Sequence, residues 1–143
     1  MTLGDLAGTS WHGTAALWLD PLGDRAETSP CLLHVEADAV RYTWAWQDTP
    51  HEGRITVGPA GGTFTDTFHS RDLMPCAPGP GTWALLDLVG TYGVAPGPPW
   101  GWRIFASLRP ADGDAPEALV LQMTNIAPWG EETRAVRMIA RRG

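Results

Sequence analysis

Asp66 and His69 are the residues whose types and spacing most suggest chemistry. They lie on GGTFTDTFHS (61–70), an otherwise apolar and hydroxyl-rich ribbon. A carboxylate and an imidazole that meet can hold a polar head-group or act as a general acid/base pair. Residues three apart point to opposite faces of an ideal strand, so only a bulge or strand end near Phe68 would turn both inward. Asn125 ends the apolar run EALVLQMTNI (117–126), and Trp100 and Trp102 open PWGWRIFASL (99–108). Trp44 and Trp46 alternate along VRYTWAWQD (40–48). Such indoles stack a flat ligand or wall an apolar cavity. Each has a plainer role as well. Asp66 would serve a neighbouring strand, His69 a loop edge, the tryptophans the core, and Asn125 a turn backbone. Asp87, in phase with Trp83, Leu85 and Val89, needs an Arg partner, a hydrogen-bond network or a ligand if it is buried; otherwise it faces outward. Arg103, out of phase with Trp102, is expected to face solvent.

The elements that must position these groups read as strands. Gly61 to Asn125 reads as four consecutive ones. Period-two patterns place strands over 11–20, 31–37, 40–48, 52–59, 61–70, 82–94, 100–109, 117–127 and 131–142, about nine in all. Segment 82–94 is expected to bulge at Gly90, and EETRAVRMIARR (131–142) reads as strand more readily than as amphipathic helix. Pro21 to Pro30 and RDLMPCAPGPG (71–81) read as irregular, because proline and glycine crowd them. LGDLAG (3–8) allows one short helical turn. Short connections between sequential strands imply an antiparallel meander, which loses its exposed edges by closing. The expectation is all-β: a single antiparallel meander β-barrel of about eight to ten strands spanning one domain, residues 1–143.

Composition narrows the partners. A net charge of −6, with dispersed arginines and no lysine, argues against nucleic acid. No apolar run reaches the roughly 20 residues of a membrane-spanning helix, and MTLGDLAGTS has no signal-peptide pattern. The protein is therefore expected to be cytoplasmic, with no membrane partner. Cys31 and Cys76 are far apart in sequence and read as reduced, structural thiols. His12, His34, His51 and His69 are scattered singles, so no metal site is expected. There is no G-x-S-x-G, no phosphate-cradling loop and no dinucleotide fingerprint. No residue is assigned as catalytic on the sequence alone.

Gly8-Thr9-Ser10-Trp11-His12-Gly13 resembles the first-strand signature of the calycin superfamily, with one residue more than the G-x-W of lipocalins. The resemblance implies that a C-terminal arginine, Arg137 or Arg141, packs across Trp11. Asp66-Thr67-Phe68-His69, Trp100-Gly101-Trp102, Met123-Thr124-Asn125 and Pro128-Trp129-Gly130 are similar, in order, to a bacterial lipocalin-like family of uncharacterised domains. The arginine-only, glycine- and proline-rich composition also suits a GC-rich bacterial genome. That likeness implies a lipocalin- or fatty-acid-binding-protein-like barrel with an internal cavity. Related haem barrels use a late histidine, and nothing after His69 supplies one, so the cofactor is left unknown.

The leading expectation is a binding protein for a small, largely apolar ligand. Asp66, His69 or Asn125 would read its polar end, and Trp44 and Trp102 would be walls. The alternatives are an enzyme using Asp66 and His69 for proton transfer, or a structural or interaction scaffold. In the last case Trp18 or Trp129 would lie in an exposed apolar patch, with a homodimer contact near Trp18.

Overall fold

The computed structural model describes residues 1–20, 24–93 and 96–143. Ten strands form a closed antiparallel barrel: β1 (Ser10–Trp18), β2 (Ala26–Val35), β3 (Ala39–Trp46), β4 (Thr49–Gly58), β5 (Gly61–Asp66), β6 (Ser70–Pro78), β7 (Leu86–Tyr92), β8 (Trp100–Arg109), β9 (Ala118–Ile126) and β10 (Glu132–Arg142). Each strand pairs with the next in sequence, and β1 pairs with β10 to close the ring. A 3-10 turn, Leu3–Leu6, precedes β1 and buries Leu3 and Leu6. This is the expected all-β meander, and 132–142 is strand as expected.

Two proline-rich stretches read as irregular are strand instead. Segment 71–81 contributes most of β6, and the second strand starts at Ala26 rather than at residue 31. The span from Gly61 to Asn125 thus holds five strands, not four. Pro21 to Gly23 of the expected loop, and Val94 and Ala95, lie outside the described residues. The prolines are tolerated because each sits where its strand has a registered partner on one side only. Pro30 is opposite Thr14 of β1, beyond the β2–β3 ladder. Pro50 faces Ala45 of β3, beyond the β4–β5 ladder. Pro75 faces Thr63 of β5, and Pro78 faces Leu88 of β7. A residue without an N–H breaks no ladder on a side that has none.

The middle of the barrel is filled. Leu33, Ile55, Phe64, Ile104, Leu121 and Met138 are all fully buried there. At one end the 3-10 turn packs near Trp11, whose indole N–H donates to Thr9 Oγ1 at 2.8 Å. Alternation of direction places the β3–β4, β5–β6, β7–β8 and β9–β10 connections together at the other end, the mouth. Gly90 is not a bulge. It stays in register with both Cys76 and Trp102, and the space its missing Cβ leaves is filled by Met74 and Cys76. The bulges fall between Phe64 and Asp66 and between Arg134 and Val136.

Candidate functional site

Strand β5 stops at Asp66, and the turn 67–69 carries the chain back into β6. That strand end satisfies the condition set by the three-residue spacing. Asp66 Oδ1 accepts the backbone N–H groups of Phe68 at 2.7 Å and His69 at 2.9 Å, so the carboxylate builds the turn that follows it. Asp66 Oδ2 accepts the Tyr42 hydroxyl at 2.6 Å and the Trp44 indole N–H at 3.3 Å. Two bonds to each oxygen fill the acceptor capacity of a carboxylate. Gly53, opposite Tyr42 on β4, has no side chain because the Tyr42 ring occupies the place of its Cβ.

His69 stands on this base. Its Nδ1 lies 3.4 Å from Asp66 Oδ1, within ion-pair range but off the line a hydrogen bond needs. Its ring lies between two indoles, 5.6 Å from Trp44 and 5.1 Å from Trp102, at interplanar angles of 26° and 34°. Phe68 meets Trp44, Trp46, His51 and His69 edge-on. Burial alone would raise the Asp66 pKa. The nearby His69 imidazole, the Tyr42 hydroxyl and the His69 backbone N–H outweigh it, holding the acid at about 2. The Tyr42 phenol is driven well above its usual range, by burial first and then by the Asp66 charge.

Asn125 sits opposite Trp102 in the β8–β9 register, and its Oδ1 accepts the Tyr92 hydroxyl at 2.6 Å. Tyr92 also meets Trp102 edge-on, with centroids 6.5 Å apart. A chain of contacts therefore joins all five expected site residues: Asp66 to Trp44 and His69, His69 to Trp102, and Trp102 through Tyr92 to Asn125. Trp100 stands at the rim against Trp129. Among the described residues, three buried nitrogens in this cluster have no hydrogen-bond partner: Trp46 Nε1, Trp102 Nε1 and His69 Nδ1. Well-packed interiors leave few such groups, because each costs about 1–3 kcal/mol.

Sequence reading assigned no site role to Tyr42, His51, Phe68 and Tyr92, and offered Trp46 as a cavity wall without choosing it. Tyr42 and Trp46 carried a signal, since they share the inward phase of Trp44. His51 and Phe68 arrive through turn geometry that periodicity does not encode.

No protein-family model matches this chain, and neither does any curated protein or solved structure.

Other expected positions resolve as follows. Asp87 lies on the outer face, where Arg103 grips it at 3.0 and 2.8 Å and the Gly81 N–H donates at 2.6 Å. The Arg partner foreseen for it is thus Arg103, itself outward-facing. Trp18 is on the outer face but not exposed, because the guanidiniums of Arg134 and Arg137 cover it at 4.6 and 5.4 Å. Trp129 is 71% exposed. The arginine across Trp11 is Arg142, at 4.9 Å, rather than Arg137 or Arg141. Cys31 and Cys76 are free buried thiols, and burial pushes the Cys31 thiol up to about 11. Among the described residues no helix is long and apolar enough to cross a membrane, and no group of three or more His, Cys, Asp or Glu side chains could hold a metal.

Proposed function

We propose that the protein binds a small, largely apolar molecule at the barrel mouth, with the walls supplied by Trp44, Trp102 and Phe68. The observation that carries this reading is the set of buried nitrogens around one aromatic cluster that make no hydrogen bond among the described residues: the indoles of Trp46 and Trp102, and His69 Nδ1, which has only its ion-pair contact with Asp66. A ligand oxygen accepting from Trp46, Trp102 or His69 would offset the cost of leaving them bare. Asp66 is a positioning residue, since its acceptor sites are already filled. His69 and Asn125 are the polar groups that remain to meet the ligand. Because the barrel middle is packed, the ligand sits in the mouth, and the Phe68–His69 turn adjusts to admit it. Calycin kinship is part of the proposal, supported by the 3-10 turn before β1 and by the arginine over Trp11.

The test is a thermal-shift screen of small carbonyl and carboxyl compounds, run on the wild type and on Trp102→Phe, which keeps a ring and removes the N–H. Compounds that stabilise the wild type and lose most of that effect in Trp102→Phe are expected. Equal stabilisation of both proteins defeats the reading.

A second reading rests on the Asp66–His69 pair. A carboxylate ionised across the neutral range and facing Nδ1 would orient the ring, leaving Nε2 to exchange a proton with bound substrate. Ester turnover unchanged in both Asp66→Asn and His69→Gln would sink it.

A further inference from the structure

We infer that the outer wall of the barrel, across β2 to β6, carries a second site, which takes an organic anion with a small apolar body. A groove of about 590 Å³ lies there, lined among others by Leu32, Thr43, Arg41, Arg54, Thr65 and Arg71. Its size is that of a small-molecule site. The register lays out its charges. Arg41 of β3 is directly opposite Arg54 of β4, and Arg54 is directly opposite Thr65 of β5. Thr65 in turn faces the 71–73 bulge of β6, where Arg71 stands. Three guanidiniums therefore share one row over four strands, each strand about 5 Å from the next.

Like charges directly opposite on neighbouring strands repel, so this row costs stability unless an anion lies over it. Only one of the three guanidiniums has an ion-pair partner among the described residues. Arg41 Nε donates to Glu36 at 2.8 Å, while Arg54 and Arg71 have no ion-pair partner among the described residues. Two carboxylates line the same groove: Glu52, which has no ion pair with an arginine among the described residues, and Asp66, which is turned inward and held by Tyr42, Trp44 and the amides of its own turn, so neither is bound to Arg54 or Arg71. Leu32 is half exposed in the groove, and the arginine stems and threonine methyls extend an apolar floor beside it. Guanidinium forks with neighbouring hydroxyls suit a carboxylate or a phosphate ester, and the apolar floor suits the body attached to it.

The experiment titrates the protein with octanoate, phenyl phosphate and the neutral octanamide, following binding by calorimetry and backbone amide shifts. Saturable one-site binding of at least one anion is expected, with shifts centred on β3 to β5 and none of that binding for octanamide. Whichever anion binds tighter identifies the head-group as carboxylate or phosphate. Arg54→Gln and Arg71→Gln should each weaken it about tenfold, while Arg109→Gln, at the exposed end of β8, should leave it unchanged. The inference is overturned if neither anion saturates, if octanamide binds as well, or if Arg109→Gln weakens binding equally. It is also overturned if Trp102→Phe abolishes the binding and Arg54→Gln does not, which would assign the anion to the mouth.

Discussion

Two aspartates are buried in this barrel, and they are neutralised in opposite ways. Asp87, on the outer wall beneath the Gly79–Gly81 segment, is held by a two-pronged arginine whose charge is permanent. Asp66, inside the mouth, is held by neutral donors and by a histidine standing 3.4 Å away. Both acids titrate below their ordinary value although burial alone would raise them. The arginine of the outer pair remains partly in water, so that pair is a local clip between loop and strand. The inner carboxylate ties together β3, β5 and the turn into β6, and so fixes Trp44, Phe68 and His69 of the aromatic cluster. A permanent counter-charge closes a contact. A set of neutral donors around a carboxylate fixes directions, which is what a site requires.

Removing each carboxylate tests that contrast most strongly. Asp66→Ala strands the Tyr42 hydroxyl, the Trp44 indole and two turn amides in a dry place, and should cost about 3–5 kcal/mol. Asp87→Ala frees an arginine that reaches solvent and should cost about 1–2 kcal/mol. Urea unfolding of the two variants measures the difference. Equal losses would mean that the inner network is no more than another clip.

Acid provides the next largest effect. The folded-state pKa of Asp66, about 2, is below its ordinary 3.8, so its contribution is fully present above about pH 4 and is lost as pH falls toward 2. A shift of that size corresponds to roughly 2 kcal/mol. Asp87 moves in the same direction, so wild-type stability should fall on both accounts. Asp66→Asn should flatten much of that fall between pH 4 and pH 2, read from urea midpoints across the range. A slope as steep as in the wild type would place the acid sensitivity elsewhere.

How much of this was legible depends on which physical signal each part carries. The alternation of Val40, Tyr42, Trp44 and Trp46 marks a buried face directly, because a strand displays its burial every second residue. Strand β6 was hidden because Pro75 and Pro78 read as breakers, and only the neighbouring ladders reveal that each has an unpaired side. The meeting of Asp66 with His69 was legible as a condition, a strand end near Phe68, but not as an outcome. Asp87 was undecidable from phase, since a carboxylate on an apolar repeat looks the same whether a ligand or an arginine awaits it. The contact of Trp102 with His69 joins β8 to the turn between β5 and β6, which are not paired neighbours, and no local pattern encodes such a meeting.

The smallest effect probes the mouth without touching either carboxylate. The β3–β4 turn consists of Gln47 and Asp48, both at positive φ, 48° and 64°. Positive φ at both central residues is the hairpin turn whose twist matches its strands, and it favours Asn followed by Gly. Glutamine has no short side chain to support that conformation, so the turn is held by the strands it joins. Gln47→Asn with Asp48→Gly should therefore stabilise the protein by about 1 kcal/mol, seen as a modest rise in thermal midpoint. Trp46 borders this turn and belongs to the unpartnered cluster, so the same variant reports on the mouth itself. Higher stability with an unchanged acid slope would separate turn strain from the Asp66 network. A changed slope would mean that the two hairpin tips move together, and that the inner carboxylate is held by the whole mouth rather than by its own turn.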